Sequence, residues 1–171
     1  MADTALQDAP RDMDLMFKAP HATQSFSSTI VELSSAGIDD LEDEWNAIVA
    51  RGEYSEPFFQ PYWFRAFSQT FNKNRPAPFV LVRQGKLLKG VLPLMRSRRF
   101  WGKLPARTLR GLSGIHSCRF DFICDPHQSD SIAESAWRAL EEDRSWNVIE
   151  AHSVPEGGAF EALMRLSLIH I

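Results

Sequence analysis

The sequence predicts an α/β (α+β) fold in which a mixed sheet carries helices on its faces. Strand-like and helix-like patterns follow one another in the order β-α-α-β-β-β-β-α-β-α, which is neither a Rossmann pattern nor a helical bundle. A hydrophobic content of 44% and a charged content of 24% are ordinary for a soluble globular protein. The length of 171 residues suits one domain, or one half of a two-domain protein.

The first part of the chain predicts a polar tail, a strand and a helix. Residues 1–27 lack the apolar segment of a secretory signal, so we expect a disordered tail before a domain over residues 28–166. Ser28–Leu33 alternates as a first strand. Acidic residues crowd the first turns of the helix that follows, and Gly52 ends it. Its apolar stripe comprises Ile38, Leu41, Trp45, Ile48 and Val49.

Six aromatic residues crowd the stretch FFQPYWFRAF, residues 58–67. Pro61 suits the first position of a second helix. A helix lying on a membrane surface would need a polar face rich in Lys and Arg, and here the only basic residue is Arg65. The stripe that we interpret as core comprises Trp63, Ala66, Phe67, Thr70 and Phe71. The aromatic residues at the bend before the helix, predicted to line a groove, are Phe58, Phe59 and Tyr62.

The middle of the chain predicts four strands. FVLVRQ and KLLKGVLPLMRSRRF form a hairpin, because Gly85 and Lys86 supply a turn between them. Pro93 cannot donate a ladder hydrogen bond, so we expect an edge or a bulge there. ARTLRGL and CRFDFIC follow as further strands. Alternation in CRFDFIC separates a face with Cys118, Phe120, Phe122 and Cys124 from a face with Arg119, Asp121 and Ile123.

The last part of the chain predicts a helix, a strand and a helix. Ser131 and Glu134 have the spacing of a capping box, which opens a helix. WNVIEA is typical of a buried strand, and the last helix starts from Gly157. The ending LSLIHI resembles an adapter-derived tail, so we expect residues 167–171 to be an artefactual or truncated end of a fragment of a longer protein. The inward residues of the first of these helices are Ile132, Ala136, Trp137 and Leu140.

Charge is separated along the chain, although the net charge is only −3. No Asp or Glu occurs from Pro57 to Phe120. This basic segment could project a positive field that attracts phosphates, nucleic acid or acidic glycans, or it could face acidic helices of the same domain. Within it, RSRRFWGK mixes basic and aromatic residues, as nucleic-acid grooves do. Its basic residues are Arg65, Lys73, Arg75, Arg83, Lys86, Lys89, Arg96, Arg98, Arg99, Lys103, Arg107, Arg110 and Arg119.

Few residues of the sequence indicate a catalytic or ligand-binding role. The sequence contains no dinucleotide, P-loop, zinc-protease or nucleophile-elbow motif, no metal-ligand spacing and no apolar run that would span a membrane. Cys118 and Cys124 are interpreted as reduced core thiols of a cytoplasmic protein. His116 lies near Cys118 and Asp121, without the strand–turn–helix that a nucleophile requires. Arg119 and Asp121 could pair with each other or line a cleft.

Several segments, taken in order, resemble a known family: DEWNAI, FFQPYWFRAF, RQGKLLKGVLPL, RFDFICDP and WNVIEAHSVPEGGAF. Over residues 28–166 the chain is similar to the N-terminal half of the cellulose-biosynthesis-associated acetyltransferase-like proteins. These belong to the GNAT (acyl-CoA N-acyltransferase) superfamily and are related to the FemAB-type enzymes. The resemblance implies a GNAT-like mixed, mostly antiparallel sheet flanked by helices. It also implies acyl transfer from acyl-CoA to an amine or hydroxyl, often in exopolysaccharide or cell-envelope synthesis.

One departure from the family pattern concerns the cosubstrate. GNAT domains cradle the pyrophosphate of acyl-CoA with a glycine-rich loop before a helix, whereas the loop here is CDPHQSD, without glycine. We therefore expect this half to bind no acyl-CoA, and a missing C-terminal GNAT-like domain to bind it in the full-length protein. The catalytic base is not assigned.

The alternative function is that of a non-catalytic module that binds an anionic glycan or RNA through its basic segment. The predicted acceptor-binding residues are Phe59, Tyr62, Arg119 and Asp121.

Overall fold

The computed structural model describes residues 25–52, 54–101 and 103–168, and it confirms a mixed sheet flanked by helices. The predicted tail begins outside the described residues but ends earlier than expected, because Phe26 and Ser27 already belong to the first strand. Residues 169–171 also lie outside them. The elements are β1 (Phe26–Leu33), α1 (Ser35–Asp39), α2 (Glu42–Arg51), α3 (Pro61–Thr70), β2 (Ala77–Gln84), β3 (Leu87–Trp101), β4 (Leu104–Gly111), β5 (Ile123–Cys124), α4 (Ser129–Glu142), β6 (Val148–Glu150) and α5 (Ala159–Leu168).

The sheet has the strand order β1-β2-β3-β4-β6, and the short strand β5 pairs with β3. Every pairing is antiparallel except that of β4 with β6. The long strand β3 changes partners at Pro93: its ladder with β2 ends at the pair Phe79–Pro93, and its ladder with β4 begins at Leu94. The bulge expected at this proline lies instead between Val82 and Arg83. A partner change suits proline, because its nitrogen has no hydrogen to donate.

Apolar side chains fill both faces of the sheet. One cluster joins the sheet to α4 and α5 and includes Leu92, Phe122 and Leu140. The other joins it to α1, α2 and α3 and includes Trp45 and Phe79. The helices therefore form one layer on each side, and the predicted inward residues of α4 are confirmed as buried.

The buried face of α3 differs from the prediction. Phe67 is buried as expected, but Phe64 is buried at 2% exposure, whereas Phe71 is 56% exposed. Ala66 and Thr70 are exposed and Trp63 is only half-buried. Phe64 packs on the ring of Trp45, with the centroids 5.2 Å apart. This contact selects which aromatic face of the helix turns inward, and the spacing within α3 does not reveal it.

Two predicted helix boundaries are also corrected. The single helix expected before Gly52 is two helices, α1 and α2, although its stripe is buried apart from the half-buried Val49. The predicted capping box is wrong, because α4 begins at Ser129 and Ser131 is its third residue. A short 3-10 turn, Pro126–Gln128, leads into α4, and the Asp125 carboxylate accepts the N–H of His127 there.

The predicted strand CRFDFIC forms a ladder only at Ile123–Cys124. Residues 120–124 are all buried, so inward and outward positions do not alternate. Packing covers both sides of this segment, because Phe122 lies in the cluster under α4 and Ile123 in the cluster under α2. Cys124 is a buried free thiol, as expected, whereas Cys118 is exposed. WNVIEA forms the half-buried strand β6 in place of a buried one.

Candidate functional site

A cleft of about 580 Å³ opens beside β5. Four segments that are distant in the sequence form its walls: the connection between α2 and α3, the residues before β5, the start of α4 and the start of α5. Its volume falls in the range of sites for small molecules. The side chains and backbone that line it include Arg51, Tyr54, Phe59, Arg119, Asp121, His127, Asp130, Glu156, Gly158 and Arg165.

Three of the four predicted acceptor-binding residues line this cleft, namely Phe59, Arg119 and Asp121. Tyr62 does not line it and is 47% exposed on the outer side of α3. Phe59 is almost fully buried, because its ring packs edge-on to Tyr54 with the centroids 5.2 Å apart. Its carbonyl also accepts the indole N–H of Trp45 at 3.0 Å. Phe59 is therefore a rigid part of the wall.

Asp121 joins the residues before β5 to the start of α5. Its Oδ1 accepts the N–H groups of Phe122 at 2.8 Å and Phe160 at 2.7 Å, and its Oδ2 accepts that of Ala159 at 3.3 Å. Burial raises the pKa of this carboxyl, and the three amide bonds oppose that rise only in part. A Cβ at Gly158 would lie 2.6 Å from Oδ2, so this close approach requires glycine.

Arg119 does not pair with Asp121, which leaves the other predicted arrangement, a cleft lined by both. Its guanidinium lies 2.9 Å from the carboxylate of Glu56, and half of its side chain stays exposed at the rim. Arg51 and Arg165 also line the cleft, each near a carboxylate: Arg51 near Asp125 and Arg165 near Glu161. The arginines therefore place N–H donors around the cleft. The backbone amides next to Asp121, by contrast, already donate to its carboxylate.

Asp125 lies at the other end of β5 and has cationic partners. Lys89 Nζ lies 3.0 Å from its Oδ2, and Arg51 Nε lies 3.8 Å from the same oxygen. Burial raises the pKa of this carboxyl, but the hydrogen bonds from Lys89 and from the His127 amide outweigh it, so the pKa is lowered. Asp125 therefore remains ionised.

Tyr54 closes the free edge of β5. Its hydroxyl donates to the carbonyl of Phe122 at 3.3 Å and accepts the N–H of Cys124 at 3.2 Å, as a neighbouring strand would. Burial raises the pKa of Tyr54, and it raises the pKa of Cys124 to about 12. Cys124 is thus a protonated core thiol and a poor nucleophile.

The loose grouping of His116, Cys118 and Asp121 does not form a triad. Among the described residues no hydrogen bond joins these three side chains, and His116 packs on the ring of Phe71 at 5.6 Å. The cleft residues that sequence analysis missed include Arg51, Tyr54, His127, Asp130, Glu156, Gly158 and Arg165. No local pattern could have found them, because their segments meet only in the folded chain.

Ion pairs within the chain neutralise about half of the basic segment. Seven of its basic residues lie within 4 Å of a carboxylate: Arg65, Arg83, Lys89, Arg96, Arg99, Arg110 and Arg119. The partners include Asp39, Glu42 and Glu44 of α1 and α2. This agrees with the alternative that the basic segment faces acidic helices of the same domain. Within the described ranges, the segment's residues without an acidic partner are Lys73, Arg75, Lys86, Arg98, Lys103 and Arg107.

No protein family and no curated protein matches the chain. Among solved structures, the chain is similar to an aminoglycoside acetyltransferase from an uncultured soil metagenomic sample. Its trehalose complex shows 10% identity and a TM-score of 0.39, over 82% of this chain and 86% of that one. Its sisomicin complex shows 10% identity and a TM-score of 0.38, over 84% and 85%. A likeness this slight assigns neither an activity nor a substrate to this chain.

The part of the chain that the structure describes has neither a membrane-spanning helix nor a cluster of metal ligands. No helix there combines the length and the apolar character of a membrane span. No three His, Cys, Asp or Glu side chains there group as ligands of a metal ion would.

Proposed function

We propose that this chain is the N-terminal, acceptor-binding domain of a GNAT-like acyltransferase, which transfers an acyl group from acyl-CoA to an amine or a hydroxyl. The observation that carries the proposal is the cleft beside β5. Three of the residues predicted to bind the acceptor, Phe59, Arg119 and Asp121, come from separate segments and line one concave site. The order of helices and strands in the described chain agrees with the resemblance.

The lining of the cleft favours a polar acceptor. Rim guanidinium groups such as that of Arg119 can donate to hydroxyl or carboxylate oxygens, and the carboxylates of Asp130 and Glu156 can accept from hydroxyl or amino groups. The rings of Tyr54 and Phe59 supply a limited apolar wall. A sugar or an amino sugar, as used in exopolysaccharide or cell-envelope synthesis, has this combination of groups.

The loop before α4 does not suit the pyrophosphate of acyl-CoA. It contains no glycine, and the His127 amide is already bound to the Asp125 carboxylate. Asp130 adds a further carboxylate to the first turn of α4, where an anionic ligand would need positive potential. We therefore assign the acyl-CoA site to a second GNAT-like domain of the full-length protein, and no step of transfer to this chain alone.

Acceptor binding is tested by saturation-transfer NMR of the purified chain with neutral sugars, amino sugars and simple amines. We expect binding of a sugar or amino sugar that Arg119→Gln weakens about tenfold, because one charge-assisted hydrogen bond is lost. The matched control is Arg138→Gln, an exposed arginine of α4 that pairs with Glu134 away from the cleft. Equal binding by both variants would place the acceptor elsewhere.

The assignment of acyl-CoA is tested separately. The purified chain, incubated with acetyl-CoA and a panel of amines, should release no thiol above background. Turnover well above background would show that the loop before α4 holds acyl-CoA despite its carboxylates.

A further inference from the structure

The β3–β4 hairpin ends in a two-stranded ribbon, residues 98–101 and 103–107. In the described chain, β6 pairs with β4 only over Thr108–Arg110, and β3 pairs with strands other than β4 only up to Pro93. The ribbon therefore extends past the other ladders of the sheet. It is tied toward β6 by the Arg107 carbonyl, which accepts the N–H of Asn147 at 2.7 Å, and by the ion pair of Arg99 with Glu150. A ribbon of this kind is marginal in water unless something packs on it.

Apolar side chains lie at the end of the ribbon. Phe100 is 75% exposed and Leu104 is 73% exposed. Phe100 lies directly opposite the exposed Pro105, and Leu104 is the next residue along, so Phe100 and Leu104 occupy opposite faces of the end of the ribbon. Folding has buried neither Phe100 nor Leu104, although burial of either side chain would lower the free energy. Large apolar side chains clustered at one exposed end point to a contact with an apolar partner.

Cations flank the apolar tip. Arg98 and Arg107 are directly opposite in the β3–β4 register, so their side chains project from the same face, and like charges in this arrangement destabilise a ribbon. Neither has an acidic partner within the described residues, and Arg107 Nε donates only to the amide oxygen of Asn147, at 3.3 Å. Lys103 adds a third exposed cation at the turn. Anions placed against this face would relieve the repulsion.

We propose that the ribbon docks onto an anionic membrane surface, with Phe100 and Leu104 entering the lipid interface and Arg98, Lys103 and Arg107 contacting headgroup phosphates. Lipid interfaces combine the two chemistries that the ribbon presents, because apolar chains lie directly beneath charged headgroups. A single-stranded nucleic acid is a poorer match, because it binds along grooves with aromatic stacking platforms, and Leu104 cannot stack on a base. The cleft beside β5 takes no part in this contact.

The test is flotation of the purified chain with vesicles of phosphatidylcholine, with and without phosphatidylserine. The wild-type chain should bind only the vesicles that contain phosphatidylserine, and high salt should release it. Arg98→Gln with Arg107→Gln should lower the partition coefficient about 30-fold, from the typical contribution of two cations near an anionic surface. Phe100→Ser with Leu104→Ser should lower it at least about tenfold.

Matched controls carry the same chemical changes elsewhere on the surface. Leu87→Ser removes a 65% exposed leucine at the β2–β3 turn, and Arg75→Gln with Lys86→Gln removes two exposed cations. Both controls should bind vesicles as the wild-type chain does, and Arg98→Lys with Arg107→Lys should retain most of the binding. Three results would overturn the proposal: no binding to phosphatidylserine vesicles, undiminished vesicle binding after the tip substitutions, or tighter binding to a homopolymeric RNA that the same tip substitutions abolish.

Discussion

Two aspartates on either side of β5 each keep only 5% of their surface exposed, and yet their pKa values shift in opposite directions. Before the strand, Asp121 has only backbone N–H groups as partners, and burial raises its pKa. After the strand, Asp125 has Lys89 and Arg51 as partners, and its pKa is lowered.

The difference shows that burial and the kind of partner together decide what each carboxylate does here: burial prevails where only amides oppose it, at Asp121, and cations prevail at Asp125. At Asp121, three backbone N–H groups carry only partial positive charge, and their hydrogen bonds connect the residues before β5 to the start of α5. Cations bring full charge and keep Asp125 ionised at the start of the loop that leads into α4. Asp121 is thus a rigid part of the cleft wall, whereas Asp125 belongs to an ion-pair cluster with Lys89 and Arg51.

Removing the Asp121 carboxylate should give the largest effect. Asp121→Ala leaves the amides of Phe122, Ala159 and Phe160 without their acceptor and should lower the free energy of unfolding by about 3 kcal/mol. Urea denaturation measures this loss. Asp121→Asn, which keeps an acceptor oxygen, should cost clearly less.

The matched control for this prediction is Asp130→Ala, which removes an exposed carboxylate from the same cleft. It should cost about 0.5 kcal/mol, the typical contribution of an exposed acid in the first turn of a helix. Equal losses in Asp121→Ala and Asp130→Ala would show that the amide contacts of Asp121 contribute little to stability.

Breaking the cationic contact of Asp125 should give the second largest effect. Lys89→Met leaves the Asp125 carboxylate with the more distant Arg51 as its cationic partner, beside the His127 amide, so we expect a loss of about 2 kcal/mol in the free energy of unfolding. Lys86→Met, at the exposed turn of the same hairpin, should change stability by less than about 0.5 kcal/mol. A Lys89→Met chain as stable as wild type would mean that Asp125 needs no close cation.

The smallest effect is the dependence of stability on pH, which directly tests the opposite pKa shifts of Asp121 and Asp125. Because the pKa of Asp121 is raised above 3.8, its contribution is full below that pH and is lost as the pH rises through the raised value. Because the pKa of Asp125 is lowered below 3.8, its contribution is present above that pH and is lost as the pH falls through the lowered value.

Urea unfolding at several pH values on both sides of 3.8 separates the two carboxyls. With rising pH, the stability difference between wild type and Asp121→Asn should shrink, and the difference between wild type and Asp125→Asn should grow. The slope for one group cannot exceed about 1.4 kcal/mol per pH unit. Two differences that change in the same direction would contradict the opposite shifts.

The helices α4 and α3 show how far a pattern of apolar residues can be trusted. In α4 the apolar residues lie among charged ones, so the pattern allows a single inward face, and Ile132, Trp137 and Leu140 are buried as predicted. In α3 aromatic residues occur on several sides, so more than one face could have been the core. The position of Trp45 on another helix selected Phe64.

The candidate site was only partly predictable for a similar reason. Phe59, Arg119 and Asp121 lie in segments whose motifs resemble a family, and the fold brings them to one cleft. Tyr62, three residues beyond Phe59, faces outward, because α3 has already begun at Pro61 and its rotation is set by the core. Gly158 becomes necessary only because the Asp121 carboxylate lies against it, 37 positions away in the chain.

The sequence by itself determined the order of strands and helices, the β2–β3 hairpin, the inward face of α4 and the charge separation along the chain. These features depend on turn residues and on spacing within one element, which are local in the chain. Only the tertiary structure decided the rotation of α3, the partners of Asp121 and Asp125, and which cations of the basic segment stay unpaired. Each of these depends on contacts between residues far apart in the chain, whose energies arise from packing, burial and electrostatics once the layers have met.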